Sequence, residues 1–325
     1  MSRMRRREFI GNSSIAAAGV ALSALHAESA ERRIGRRSRG SGTATNKIGM
    51  NLLLWTGNPG PEQYELLEML GKIGFDGVEF PMFDTSGRQW SDLGKKCDEL
   101  GLERTVSTAL PKDSIPVSDD PQLRQNALEF LKGTVDRSHE LGAKVICGPL
   151  CAPVGYLVGR GRTEEEFNRC VEVIRAASEY AQQAEIMFTN EPLNRFETYV
   201  INSQEDGAKL VDAVNMPSFK LHYDTFHANI EEKDPGAVIK KVGNVIGHVH
   251  ISENDRSTPG KGQVHWRETF AALKDVNYQG WLVIEAFGRA LPEIAAATCI
   301  WRQMYESEEQ LAGDGYAFVK RSWTA

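Results

Sequence analysis

The chain has 325 residues, enough for one barrel of roughly 250 residues or for two smaller domains. Charge is unevenly placed: residues 1–45 carry a net +6 and the remainder −12. An acidic body without clustered Lys and Arg argues against a nucleic-acid partner, whose phosphates need those cations.

In chain order, the first signal is Arg6-Arg7-Glu8-Phe9-Ile10, which resembles a twin-arginine export signal. A weakly apolar stretch, Ile15 to Leu25, follows, with small residues around Ala27 and Ala30 suited to cleavage. That stretch is shorter than the ~20 residues a membrane-spanning helix needs. Residues 1–30 therefore read as a signal peptide and 31–45, rich in Arg, Gly and Ser, as a basic flexible linker. The expected location is periplasmic or otherwise extracytoplasmic, without a stable membrane anchor, and cytoplasmic if the signal is unused. The bland alternative is a basic tail with an incidental Ala-rich segment.

From Asn46 onward, short apolar runs alternate with amphipathic stretches. The runs predict strands at Ile48–Leu54, Gly77–Phe80, Glu103–Ser107, Lys144–Gly148, Ile186–Glu191, Phe219–Asp224, Val245–Ile251 and Trp281–Glu285. Between them, apolar residues recur at helical spacing, as in Tyr64, Leu67, Leu70 and Ile73, or Leu123, Ala127, Phe130, Leu131, Val135 and Leu141. The pairs Ile73-Gly74, Leu100-Gly101 and Leu141-Gly142 punctuate helix ends as left-handed caps. Eight strand–helix units imply a parallel sheet. The first strand ends Leu54-Trp55-Thr56-Gly57-Asn58-Pro59-Gly60, without the glycine-rich phosphate loop of an open dinucleotide-binding sheet. The expected fold is thus an α/β (β/α)8 TIM barrel over residues 46–325 with a C-terminal helical extension. Trp301, Met304, Tyr305, Tyr316, Phe318 and Trp323 are its expected packing residues. Of the five cysteines, Cys147 and Cys151 lie four apart near a strand end. They read as packing residues rather than a zinc site, since no paired Cys or His accompanies them.

The chemistry concentrates at four strand ends. Glu191, Asp224, His250 and Glu285 close the fifth to eighth predicted strands, and neighbouring strand ends of a barrel share one mouth. Three carboxylates and one imidazole suit a divalent Mn²⁺, Mg²⁺ or Co²⁺ better than a structural zinc. Taken singly, each acid could be a helix cap or a surface charge. His248, two residues deeper than His250 on the same strand face, reads as a barrel-filling residue.

Several segments resemble the D-tagatose/D-allulose (psicose) 3-epimerase family of ketose epimerases, within the xylose-isomerase-like barrel superfamily. They are Asn194-Arg195-Phe196-Glu197, the run Asp224-Thr225-Phe226-His227-Ala228-Asn229-Ile230-Glu231-Glu232, Gly247-His248-Val249-His250, Pro259-Gly260-Lys261-Gly262 with Trp266, and Ile284-Glu285-Ala286-Phe287. The similarity runs from about Lys47 to Arg321, and the ligand intervals of 33, 26 and 35 residues also look like the family's. It implies Glu191, Asp224, His250 and Glu285 as ligands of one divalent ion, typically Mn²⁺. It also implies Glu197, His227 and Arg256 as groups holding the oxygens of a small-molecule sugar, and a homo-oligomer, dimer or tetramer. The chain departs from the family around Glu191, with Thr189-Asn190 before it and Pro192 after. Ala286 stands where the family has Pro, and Thr108–Pro116 and Pro149–Gly161 differ too.

Inverting C3 of a ketose requires removing a proton made acidic by the C2 carbonyl and returning one on the other face. A cation chelating O2 and O3 stabilises the enediolate charge. Glu191 and Glu285 are the expected proton carriers. No organic cofactor is expected. Trp55, Tyr156 and Phe287 are candidate apolar walls. Two alternatives stay open. One is a related isomerase, epimerase or lyase acting on an inosose or 3-oxo-glycoside; the other is a non-catalytic exported carbohydrate-binding barrel.

Overall fold

Eight strands pair in parallel and in chain order, and the last returns to the first. They are β1 Lys47–Asn51, β2 Gly77–Pro81, β3 Glu103–Ser107, β4 Val145–Gly148, β5 Met187–Asn190, β6 Phe219–Asp224, β7 Ile246–Ile251 and β8 Trp281–Ile284, and they close a barrel. The seam is made by β1 against β8, with Ile48 opposite Leu282 and Met50 opposite Ile284. This computed structural model describes residues 46–86 and 90–325. The expected signal peptide and linker lie outside the described residues.

Among the described residues, ten α-helices accompany the strands: α1 Tyr64–Ile73, α2 Trp90–Leu100, α3 Pro121–Leu141, α4 Glu164–Gln183, α5 Gln204–Val214, α6 Thr225–Glu231, α7 Pro235–Val242, α8 Trp266–Asp275, α9 Pro292–Ala297 and α10 Glu308–Thr324. Local chemistry sets many of their ends. Gly74 and Gly142 take positive φ, +111° and +80°, and cap α1 and α3 as the Ile-Gly and Leu-Gly pairs predict. Thr163 opens α4 with a reciprocal capping box to Glu166. None of the described helices is long and apolar enough to cross a membrane.

The strand expectations hold with small shifts at their ends. The first run stops being a strand at Asn51, whose side chain accepts a hydrogen bond from Leu53 N at 2.8 Å and turns Leu52–Leu54 into a 3₁₀ turn. Glu191 and Glu285 lie one residue past β5 and β8. Each still donates its backbone N–H to the neighbouring strand, to the Gly148 and Ile251 carbonyls at 2.9 and 3.2 Å. The C-terminal extension is α9 and α10. Tyr316 packs edge-on to Phe75 with centroids 5.0 Å apart, and Phe318 meets Trp266 at 5.2 Å. Trp301 corrects the expectation of a packing residue: it is 70% exposed between α9 and α10, because its neighbour Ile300 takes the buried place.

Alternation along the strands stacks the barrel interior in layers. Val145, Met187 and Trp281 lie near the strand starts and form an apolar cluster with Val283 above them. Two residues further along their strands come Cys147, Thr189, Val283 and, beyond it, Glu285. His222 precedes Asp224, and His248 precedes His250, by the same step. The ligand candidates therefore sit on an already packed interior.

Candidate active site

At the C-terminal ends of β5 to β8, Glu191, Asp224, His250 and Glu285 each offer one ligand atom, and these atoms all lie within 4.8 Å of one another. His250 Nδ1 is 3.3 Å from Glu285 Oε1 and 3.6 Å from Asp224 Oδ2. The two oxygens of Asp224 divide their work. Oδ1 caps α6 by accepting the His227 N–H at 2.9 Å, which turns Oδ2 toward the cluster. Buried Asp224 Oδ2 and His250 Nδ1 have no hydrogen-bond partner. Buried polar atoms are normally satisfied, so two orphans converging beside two further carboxylates fit a divalent cation. Burial, then the Asp224 and Glu285 carboxylates, push the Glu191 carboxyl well above its ordinary range. The same crowding is what a cation relieves.

The three expected substrate-holding residues come to this place. His227, in the first turn of α6, is 2% exposed. Its Nδ1 accepts the Asn194 N–H at 3.0 Å, and its Nε2 lies 3.0 Å from Arg256 Nη2, a group that can only donate, and 3.6 Å from Glu191 Oε1. Burial and the Arg256 guanidinium push this imidazole down to about 4. Glu197 is half-buried and accepts from Asn194 Nδ2 at 2.8 Å.

Arg256 is buried rather than a solvated loop charge. It donates to Glu285 Oε2 at 2.6 Å and to Ser252 Oγ at 2.9 Å, and its guanidinium lies 3.7 Å from the Phe226 ring centroid. Its backbone is left-handed, with φ +63°, a conformation costing a non-glycine residue roughly 1–2 kcal/mol. Glu253 holds the loop that imposes it. That buried carboxylate accepts from Gly260 N at 2.8 Å, Trp266 Nε1 at 2.9 Å and Val264 N at 3.1 Å, and the Glu253 carbonyl accepts from Arg256 N at 2.9 Å. The Pro259-Gly260-Lys261-Gly262 and Trp266 motif thus has a physical role in aiming Arg256.

Two site residues escape the sequence reading. Glu79, midway along β2, is fully buried and meets His250 Nε2 at 2.6 Å and His248 Nε2 at 2.8 Å. His222, two residues before Asp224, presents an edge to the His250 ring with centroids 4.1 Å apart. Burial, then His250 and His248, hold His222 well below the ordinary histidine range, so it is neutral. The usable signal was strand alternation: Glu79 is an acid inside an apolar strand, and His222 shares a strand face with the ligand candidate Asp224. His248 fills the barrel as expected, but as a partner of Glu79. Cys147 departs from the packing expectation, with Sγ 3.3 Å from Glu79 Oε2 and 3.7 Å from His250 Nε2. Cys151 packs in the core.

A cavity of about 260 Å³ opens above these groups, with Glu191, His250 and Glu285 beside Glu197, His227 and Arg256. Its walls include Leu53, Phe83, Phe287 and Ile294. Phe287 is the wall the sequence predicts. Trp55 and Tyr156 are not: both pack against the hydrophobic core instead.

The family model described as "Xylose isomerase-like TIM barrel" matches residues 67–321. A probable ketose 3-epimerase from Synechocystis sp. is 32% identical over 278 residues, covering 85% of this chain and 96% of its own. A 3-dehydro-D-guloside 4-epimerase from Escherichia coli is 31% identical over 238 residues, covering 70% and 87%. Among solved structures, that of a D-allulose 3-epimerase from Methylomonas sp. superposes with a TM-score of 0.81 at 28% identity, covering 86% of this chain and 98% of that one.

Proposed function

Because the chain belongs to the ketose 3-epimerase family of xylose-isomerase-like TIM barrels, we propose that it inverts C3 of a free ketose with one divalent ion held by Glu191, Asp224, His250 and Glu285. The observation that carries this reading is the convergence of those four buried ligand atoms from four consecutive strand ends, floored by a packed barrel interior. When bound, the ion supplies Lewis-acid stabilisation of the negative charge that develops on O2 and O3. Hard oxygens with one imidazole favour Mn²⁺, with Mg²⁺ and Co²⁺ as substitutes.

The proton work falls to Glu191 and Glu285. They are the outermost of the four ligands, entering from β5 and β8 with the β6 and β7 ligands between them. One takes the C3 proton and the other returns a proton to the opposite face, with the roles exchanged in the reverse direction. Arg256 donates to Glu285 and orients it. The His227 ring, 3.0 Å from Arg256 and 3.6 Å from Glu191, holds the sugar beside the reacting carbons, and Glu197, oriented by Asn194, accepts from a sugar hydroxyl. The apolar walls face the C–H surfaces of the sugar and keep water from the ionised carbon.

Deuterium wash-in tests the reaction directly. Metal-loaded protein incubated with D-fructose or D-tagatose in D₂O should place label at C3 of recovered sugar. Label absent from every ketose, but present in an inosose or a 3-oxo-glucoside, would transfer the reading to the related oxo-sugar chemistry. The guloside epimerase resemblance is what keeps that second reading in view.

We also read Arg6-Arg7 as part of an export signal and the native state as a homo-oligomer, dimer or tetramer. Fractionation of cells expressing an R6K/R7K variant and light scattering of the purified protein test those two points.

A further inference from the structure

Glu79 is the most heavily contacted buried carboxylate near the site, and the epimerisation scheme does not use it. It is 0% exposed, and five side chains converge on its two oxygens. Asn51 Nδ2 donates to Oε1 at 2.9 Å, Thr105 Oγ1 donates to Oε2 at 2.8 Å, and the Cys147 thiol reaches Oε2 at 3.3 Å. The remaining two are imidazoles: His250 Nε2 at 2.6 Å from Oε1 and His248 Nε2 at 2.8 Å from Oε2.

The geometry on the far side of His250 gives this cluster a purpose beyond filling space. Nδ1 faces Asp224 Oδ2 and Glu285 Oε1 and has no hydrogen-bond partner. An imidazole can ligate a cation only through an unprotonated nitrogen, so its remaining proton must sit on the other one. An ionised carboxylate only accepts, and Glu79 faces Nε2. We propose that Glu79 is the positioning residue of His250. It keeps the proton on Nε2, turns the Nδ1 lone pair toward Asp224 and Glu285, and makes that nitrogen a stronger ligand. Asn51 and Thr105 fix the carboxylate, and His248 occupies the oxygen that His250 does not use. This inference rests on the ligand set proposed above.

Mn²⁺ affinity, measured by electron paramagnetic resonance of the free ion, tests it without reference to turnover. Glu79→Gln keeps one acceptor oxygen but loses the charge, and should weaken binding about tenfold. Glu79→Met removes the acceptor and should weaken it about 100-fold, the two values spanning the usual effect of losing a partner behind a metal ligand. Wild-type affinity in both folded variants would overturn the proposal, since a purely structural Glu79 lowers thermal stability and leaves affinity alone. If neither variant folds, ¹⁵N-histidine spectra of the wild-type Zn²⁺-loaded protein decide. A proton on His250 Nε2 supports the role, and a proton on Nδ1 overturns it. Failure of the wild-type protein to bind Mn²⁺ would instead remove the ligand set itself.

Discussion

The four proposed ligands and their neighbours were legible because each closes its own apolar run, so that one local pattern announces one strand end. Glu79 was not, because its meaning lies in partners 169 and 171 residues away, and nothing beside it in sequence announces them. The assignment of Glu285 as a proton carrier is tested by Glu285→Gln. The amide retains one ligating oxygen, so Mn²⁺ content by mass spectrometry should persist. Deuterium exchange at C3 should fall by about 10²–10⁴, the usual contribution of a positioned acid or base. Undiminished exchange would take Glu285 out of that role. Arg256→Ala poses a different question. It leaves Glu285 and Asp224 without their buried cation, and breaking such a pair costs about 3–5 kcal/mol. Chemical denaturation of the metal-free protein should show that loss, and Mn²⁺ should recover part of it by supplying positive charge.

Between elements, the loops that shape the cavity are tied down by specific local chemistry. Glu166, the third residue of α4, closes the capping box with Thr163 N at 2.7 Å and accepts two bonds from Arg160, both at 2.9 Å, and one from Tyr199 OH at 3.0 Å. It thereby fastens the end of the β4 loop to the segment that carries Glu197. The Arg160 guanidinium, against a burial cost and helped by the Thr163 N–H, holds this carboxyl down to about 2. A carboxylate depressed in the fold stabilises fully above its unfolded value of ~4.3 and loses that contribution as pH falls through the folded value. Glu166→Gln keeps the capping box but loses the charge facing half-exposed Arg160, and should therefore cost up to about 1 kcal/mol at pH 6. Denaturation of both proteins from pH 6 to 2 should show the difference shrinking below about pH 4.5 and nearly gone at about 2. A pH-independent gap would contradict this.

The capping sequence at Thr163 and the glycine caps were readable from short-range rules. The Trp55, Tyr156 and Trp301 expectations failed because aromatic character alone does not say which way a loop faces. Gly148 shows how tight one such turn is. It ends β4 with φ +142°, and a Cβ there would collide with the Thr108 carbonyl. Gly148→Ala should destabilise by about 1–3 kcal/mol and lower kcat/KM, measurable by thermal denaturation beside a coupled epimerase assay.

At the scale of the whole molecule, closure in chain order makes the fold readable once eight strand–helix units are counted, because parallel strands leave few other arrangements. A cation bridging β5 to β8 then binds the native barrel and not the unfolded chain. Mn²⁺ at 100 times its Kd should add about 2.7 kcal/mol, and removing it with EDTA should lower Tm by roughly 5–10 °C for a domain of this size. A Tm indifferent to chelation would mean the four ends do not share an ion.

The barrel is divided in its labour. All four proposed ligands hang from the second set of four strands, whereas Leu53, Phe83, Thr108 and Pro149 reach the cavity from the segments after the first four. Part of the cavity wall is therefore built by segments that carry none of the proposed ligands, facing Phe287 and Ile294 from after β8. Exchanging the four connections after β1 to β4 with those of a relative should alter sugar preference in part while leaving the proposed proton carriers where they stand. One semicircle of the barrel mouth is thus open to drift in its wall residues without touching the four strand ends that converge in the other.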